Sequence, residues 1–113
     1  MANAAKEFLD KYKKDSEKVK AMLPDVAAGF GSLFGKVMKD GALSLREKEL
    51  VALGMGIALR CLPCIRLHVQ KCLEVGATKE QVLEVAAVAV VMQGGPCFTH
   101  IAEVIEAIEA AGA

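Results

Sequence analysis

The chain has 113 residues, of which 54% are hydrophobic and 4% are aromatic. A chain of this size and composition can bury one core, so we expect a single domain over residues 1–113, with an N-terminal helix over 1–23 and a helical core over 24–110. Fourteen basic residues balance fourteen acidic ones. Because no net charge attracts phosphates or an anionic bilayer, we expect neither nucleic acid nor membrane as a partner.

The N-terminus is charged from Lys6 onward and lacks the apolar stretch of a secretory signal. We therefore expect a cytoplasmic protein. The uncharged run over 85–102 is broken at 93–96, after roughly a dozen residues, whereas a membrane-spanning helix needs about 20. In a reducing compartment, the four cysteines should not form a static disulfide framework, so a closely spaced pair is expected to be catalytic, redox-active or metal-binding.

Helical periodicity runs along the chain, and no strand-turn-strand pattern interrupts it. The first helix ends at Pro24, and its apolar residues are spaced by three to four positions: Phe8, Leu9, Tyr12, Val19, Met22 and Leu23. A second helix runs from Val26 through Phe34 to Val37, although its three glycines each cost about 1 kcal/mol. Close packing against another helix would explain these glycines, and so would a mobile lid; we favour packing.

A capping box at Ser44 to Glu47 starts the third helix. The next ten residues, Leu50–Leu59, carry no charge, so we expect them to be buried on most sides, in part against another subunit. Pro63 favours the first turn of a helix and disfavours helical dihedrals in the residue before it, so the fourth helix is expected to begin at Pro63.

The fourth helix is expected to end at Gly76, and Thr78 to Gln81 form a second capping box that opens a fifth helix. Glycines 94 and 95 with Pro96 separate that helix from a sixth, which ends near Ala110. The predicted fold is therefore all-α, a single-domain bundle of about six helices.

The chemistry of the chain is concentrated in the pattern E-x11-C-x2-C-x3-H, formed by Glu49, Cys61, Cys64 and His68. Cys64 lies in the first turn of the fourth helix, where unpaired N–H groups and the helix dipole favour a thiolate. His68 is one turn further on the same face and can exchange the thiol proton. Glu49 faces an apolar interior and needs a partner such as His68, while Cys61 can resolve an oxidised Cys64 as a disulfide.

The remaining cysteines and the second histidine have less specific surroundings. Cys72 is about 12 Å along the helix from Cys64, too far for a disulfide, and is interpreted as a buried apolar residue. Two placements are open for Cys97 and His100, facing the site or only packing; we favour packing. A zinc site would combine Cys61, Cys64 and His68 with a fourth ligand from Cys97 or His100. That site is the alternative hypothesis, and we expect no metal.

With these residues, the chain resembles the carboxymuconolactone decarboxylase-like superfamily, in its alkylhydroperoxidase D-like branch, whose signature is the same E-x11-C-x2-C-x3-H pattern. The resemblance extends from about Pro24 to Ala107 and includes the segments 45–53 and 76–82 and the glycines before the last helix. It implies an alkylhydroperoxidase D-like helical fold, a dimer, trimer or hexamer of identical subunits, and a peroxidase or disulfide reductase without metal or organic cofactor.

The predicted function is a thiol-dependent peroxidase of peroxiredoxin type, or a disulfide oxidoreductase, acting in antioxidant defence. Its expected partners are a hydroperoxide and a dithiol, thioredoxin-like or lipoyl reductant. The alternatives are a structural zinc protein and an oligomeric helical interaction protein with a vestigial dithiol. Lactone decarboxylation ranks lower, because decarboxylase members of the superfamily typically lack the dithiol. This chain also departs from the best-known peroxidases of the branch, which are longer and often have a His between the two cysteines.

Overall fold

The computed structural model describes residues 3–113 and contains seven α-helices and no strand within that range. The helices are α1 (Ala4–Met22), α2 (Pro24–Val37), α3 (Leu45–Ala58), α4 (Leu62–Glu74), α5 (Lys79–Gln93), α6 (Gly95–Thr99) and α7 (Ile101–Ala110). The predicted all-α bundle is confirmed, except that the sixth predicted helix is divided at His100 into α6 and α7. Residues 1 and 2, which the predicted N-terminal helix included, lie outside the described part.

Short-range signals set most of the helix ends. The side chains of Ser44 and Thr78 accept backbone N–H groups three residues on, at 3.1 Å each, and Glu47 and Gln81 accept the N-cap N–H groups in return. Both predicted capping boxes are therefore confirmed. Helix α4 begins at Leu62, one residue earlier than predicted, because Cys61 caps the helix and Pro63 still lies within its first turn.

The core lies between α3, α4, α5 and α7. Its largest fully buried side chains are Leu53, Ile57, Ile65, Val69, Val82, Val104, Cys72 and Cys97. Helix α3 packs against α4 and α5, and α7 packs against α4. Helix α1 contacts α4 and α7, and its backbone N–H at Ala5 donates to Glu106 Oε1 at 3.1 Å. The two helices that carry the sequence motif, α3 and α4, are thus supported from several sides.

Helix α2 is the least buried helix of the bundle. It packs along α1, and none of its residues is fully buried; only Ala27 and Phe34 are partly covered. A Cβ built on Gly29, Gly31 or Gly35 would have no neighbouring atom within 4 Å beyond the backbone of α2 itself. The predicted close packing of these glycines against another helix is therefore wrong within this chain, since no other helix comes within contact distance of a Cβ at any of the three positions.

The uncharged segment Leu50–Leu59 is buried on one side only. Leu53 and Ile57 are fully covered, whereas Val51, Met55 and Leu59 are 49%, 62% and 73% exposed. Val51 and Met55, together with residues of α5 that include Val88 and Met92, line a groove of about 520 Å³. The segment was predicted to be buried on most sides, and a single chain does not bury it in that way. Among residues 3–113, no helix is long and apolar enough to cross a membrane.

Candidate active site

The two cysteines of the motif are joined at the start of α4. Cys61 and Cys64 form a disulfide, and their Cα atoms lie 5.2 Å apart. Cys61 is the N-cap residue of α4, and the backbone N–H of Cys64 donates to Cys61 Sγ at 3.2 Å. Because an unpaired N–H at a helix start favours negative charge, this contact would stabilise a Cys61 thiolate after reduction.

A strained turn between α3 and α4 places Cys61 at the N-cap position of α4. Between α3 and α4, Arg60 adopts a φ of 56°, in the left-handed region that non-glycine residues seldom occupy. The N–H of Arg60 donates to the carbonyl of Ile57, and the N–H of Cys61 donates to that of Gly56 at 3.0 Å. These bonds end α3 in the manner of a Schellman motif, with arginine where glycine is usual. Strain of about 1–3 kcal/mol is therefore stored next to the dithiol.

The acid and the base of the motif are in direct contact. His68 Nδ1 lies 2.7 Å from Glu49 Oε1, so the ring N–H donates to the carboxylate. Glu49 is only 3% exposed and is the one buried charged residue among residues 3–113. Since Glu49 holds Nδ1, the second ring nitrogen of His68 is the one free to exchange a proton. The predicted pairing of these two residues is confirmed by this distance.

Gly56 allows α3 and α4 to approach at the dithiol. A Cβ built on Gly56 would lie 2.9 Å from Cys64 Cβ and 3.6 Å from the Cys64 carbonyl carbon. The distance to Cys64 Cβ is shorter than real Cβ contacts allow, and neither neighbour is the flexible end of a side chain. Gly56 lies seven residues after Glu49, on the same face of α3, but the sequence pattern does not reveal this role, since the contact joins two helices.

We expect Gly56→Ala to destabilise the oxidised protein by about 1–3 kcal/mol, because α3 and α4 must separate to admit the methyl group. Gly54→Ala is the matched control two residues earlier, where the new Cβ would meet Val85 Cγ1 at 3.4 Å. That variant should be neutral or slightly more stable, as alanine favours a helix. Urea unfolding of both variants measures the difference, and equal stability would contradict the close-approach role.

Two residues of the motif line a cavity of about 480 Å³, whose wall is formed by residues of α1, α2 and α4. Cys64 and His68 lie on its wall, and Tyr12, Phe34 and Lys71 are among the other lining residues. The Phe34 ring stacks on the His68 imidazole, with centroids 6.4 Å apart and planes inclined by 29°. Sequence reasoning missed Phe34, because the apolar spacing of α2 does not distinguish the aromatic residue that reaches the site.

The sequence and the helical arrangement of this chain are similar to those of known proteins. The sequence profile of the carboxymuconolactone decarboxylase family matches residues 24–107. The chain belongs to this family. A family protein of Legionella pneumophila, solved in its apo form, superposes with a TM-score of 0.92 at 33% identity, over 99% of this chain and 100% of that one. A family protein of Thermotoga maritima, for which involvement in an antioxidative response has been suggested, gives 0.80 at 29% identity, covering 91% and 87%.

Two relatives in sequence are themselves uncharacterised. Protein 4 of the cox locus of Paracoccus denitrificans is 38% identical over 71 residues, which are 63% of this chain and 64% of that protein, slightly under two thirds of its length. A protein of Cupriavidus necator is 29% identical over 90 residues, or 80% of each chain. These similarities support the family membership.

Cys72 lies on α4 two turns beyond the disulfide and is fully buried in this family member. Burial, and to a smaller extent the nearby Glu49 carboxylate, together raise the pKa of its thiol to about 12. A raised pKa keeps the sulfur protonated and unreactive near neutral pH. The interpretation of Cys72 as a buried apolar residue agrees with this environment.

At pH 8 we expect iodoacetamide to alkylate Cys61 and Cys64 in the reduced native protein and to leave Cys72 unmodified. With a pKa of about 12, only about one Cys72 in ten thousand is a thiolate at that pH. Raising the pH to 9 should speed labelling of the dithiol and still spare Cys72. Peptide mapping measures each site, urea-unfolded protein is the positive control, and native labelling of Cys72 at the rate of Cys61 would contradict its assignment.

The zinc alternative required a fourth ligand from α6 or its end. Cys97 is fully buried, and its thiol contacts the carbonyl of Ile57 at 3.5 Å. His100 Nδ1 donates to the carbonyl of Pro96 at 2.7 Å. Within residues 3–113, no three His, Cys, Asp or Glu side chains are grouped so that they could hold a metal ion. Both residues are thus engaged with backbone carbonyls of their surroundings.

Proposed function

We propose that this family member is a thiol-dependent peroxidase and disulfide oxidoreductase that cycles the Cys61–Cys64 dithiol with a Glu49–His68 proton relay. One observation carries the proposal: Cys64 of the disulfide and His68, which is hydrogen-bonded to Glu49 of α3, lie one turn apart on α4 and on the wall of the same cavity. Nucleophile, base and orienting carboxylate are the parts that thiol activation requires.

The oxidative half of the cycle begins with the proton of Cys64. His68 takes that proton at its second ring nitrogen, and Glu49 balances the imidazolium charge. The Cys64 thiolate attacks one oxygen of a hydroperoxide, so that an S–O bond forms and the O–O bond breaks. The departing alkoxide takes the proton from His68 and leaves as an alcohol, and Cys64 becomes a sulfenic acid.

The second cysteine then closes the disulfide. Cys61 loses its thiol proton to solvent and, as a thiolate, attacks the sulfenic sulfur of Cys64. The S–S bond forms, the S–O bond breaks, and the departing hydroxide takes a proton from solvent and leaves as water. The N–H of Cys64, which points to Cys61 Sγ at 3.2 Å, supports this role because it favours negative charge on that sulfur. Two electrons have passed from the dithiol to the peroxide. An external dithiol restores both thiols by exchange and becomes a disulfide itself.

Peroxide turnover with alternative electron donors tests this function. The reduced protein is given hydrogen peroxide or cumene hydroperoxide with dihydrolipoamide, or with thioredoxin and its reductase. We expect saturable peroxide consumption that depends on at least one donor. Absence of consumption with every combination would contradict the peroxidase, and disulfide exchange with a donor in the absence of peroxide consumption would leave only the oxidoreductase.

Assembly into a homo-oligomer is a second part of the proposal. The exposed apolar residues Val51, Met55, Val88 and Met92 line one groove between α3 and α5. Apolar surface of this kind favours burial against another copy of the chain. Sedimentation analysis measures the number of subunits, for which a dimer, trimer or hexamer is expected. The cytoplasmic location stays a prediction, and an antioxidant role would fit the suggestion made for the Thermotoga maritima relative.

A further inference from the structure

Helix α2 places two aromatic residues, Phe30 and Phe34, on the wall of the active-site cavity, and Phe34 is the one paired with the His68 ring. Along α2, Val26, Phe30 and Leu33 are 62%, 66% and 59% exposed, whereas Phe34 is partly buried against α4. The three glycines around it, at positions 29, 31 and 35, have no neighbours beyond the helix. Helix α2 therefore contributes no buried side chain to the core, but its position brings Phe34 next to His68.

Phe34 is held between two residues of α4 that are three positions apart. Its ring stacks on His68 at 6.4 Å between centroids, and Lys71 Nζ lies 4.9 Å from the Phe34 ring centroid. Aromatic stacking and cation–π contacts each contribute a modest but oriented attraction. The far end of α2 is tied to α3, because Lys48 Nζ donates to the carbonyl of Val37 at 2.9 Å. These contacts fix the position of the Phe34 ring.

The His68 imidazole therefore has two independent restraints. Glu49 holds its Nδ1 edge at 2.7 Å, which leaves the second nitrogen available for proton exchange but also leaves the ring free to tilt about that hydrogen bond. The Phe34 ring lies beside the imidazole, with centroids 6.4 Å apart and planes inclined by 29°, and so limits the range over which the His68 ring can tilt. A base that transfers a thiol proton must be held within a narrow range of positions.

We propose that Phe34 is a positioning residue for this reaction: it holds the His68 ring in the orientation from which it exchanges the Cys64 proton. The inference rests on the proposed function for its catalytic meaning, but it concerns the reactivity of the dithiol and can be measured without peroxide. Phe34 acts through His68 and contributes no group that reacts.

The test compares Phe34→Leu, Phe34→Tyr and the control Leu33→Ala. Leu33 is the preceding residue of α2 and is 59% exposed. For each reduced protein, the iodoacetamide alkylation rate of Cys64 is measured by peptide mapping, together with kcat and KM for hydrogen peroxide, which is too small to need the cavity wall. Melting temperatures show that each variant is folded.

Phe34→Leu should lower the alkylation rate and kcat roughly three- to tenfold, the equivalent of one lost aromatic contact, with KM for hydrogen peroxide unchanged. Phe34→Tyr keeps the aromatic face and should restore the rate, and Leu33→Ala should match the native chain. An unchanged rate in folded Phe34→Leu, a rise in KM alone, an equal loss in Leu33→Ala, or no recovery in Phe34→Tyr would each overturn the proposal. If the native chain consumes no peroxide, the proposed function fails, and the alkylation rates still decide the role of Phe34.

Discussion

The Cys64→Ser variant should consume hydroperoxide more than about a thousandfold more slowly than the native chain, because it removes the nucleophile on which every later step depends. The hydroxyl of the introduced serine is too weakly acidic for His68 to convert it into an effective nucleophile. Peroxide loss is followed with an excess of the dithiol donor. Cys97→Ser is the control, since Cys97 is a buried residue whose thiol donates to the carbonyl of Ile57 and which does not line the active-site cavity.

Cys61→Ser should give a different result and thereby separate the two roles. This variant still reacts once with peroxide, but the sulfenic acid of Cys64 has no partner sulfur and persists. Dimedone labelling located by peptide mapping should find the adduct on Cys64. Full peroxide consumption by Cys64→Ser, or a dimedone adduct on Cys61 in that variant, would show that the two cysteine roles are assigned the wrong way round.

Glu49→Gln should lower peroxide turnover by about a hundredfold or more. The amide oxygen can still accept the Nδ1–H of His68, but a neutral group no longer balances the imidazolium that forms when His68 takes the thiol proton. Because Glu49 is only 3% exposed, water does not replace the lost charge. The comparison uses kcat for hydrogen peroxide at pH 7.

Glu84→Gln provides the control for that experiment, since Glu84 is an exposed carboxylate on α5, away from the site. It should retain native turnover. Melting temperatures of both variants separate a loss of chemistry from a loss of folding. Native turnover in a folded Glu49→Gln variant would mean that Glu49 serves packing and hydrogen bonding alone, and the proton relay would have to be abandoned.

Those features of the fold that depend on local sequence could be predicted. The capping boxes at Ser44 and Thr78 and the glycines after α4 and α5 act within a few residues, so their effect can be derived from spacing. The pairing of Glu49 with His68 was also predictable, because a carboxylate on an apolar helix face must find a hydrogen-bond partner. The redox interpretation followed from the spacing of the two cysteines relative to each other and to Glu49 and His68.

Features that join separate helices could not be predicted in this way. The seating of Phe34 on His68 and the approach of Gly56 to Cys64 depend on how α2, α3 and α4 cross, and periodicity gives no crossing angle. The glycines of α2 illustrate the same limit, since their spacing suggested close packing that this chain does not supply. Arg60 in the left-handed region has no sequence signal, because glycine or asparagine is usual there.

The central claim is that peroxide converts two thiols into one bond between Cys61 and Cys64. The most direct measurement is intact mass of the fully reduced protein before and after one equivalent of hydrogen peroxide, followed by peptide mapping. We expect the protein to lose two hydrogens, about 2 Da, with Cys61 and Cys64 linked and Cys72 and Cys97 still reduced. An unchanged mass, or a product that links other cysteines, would contradict it.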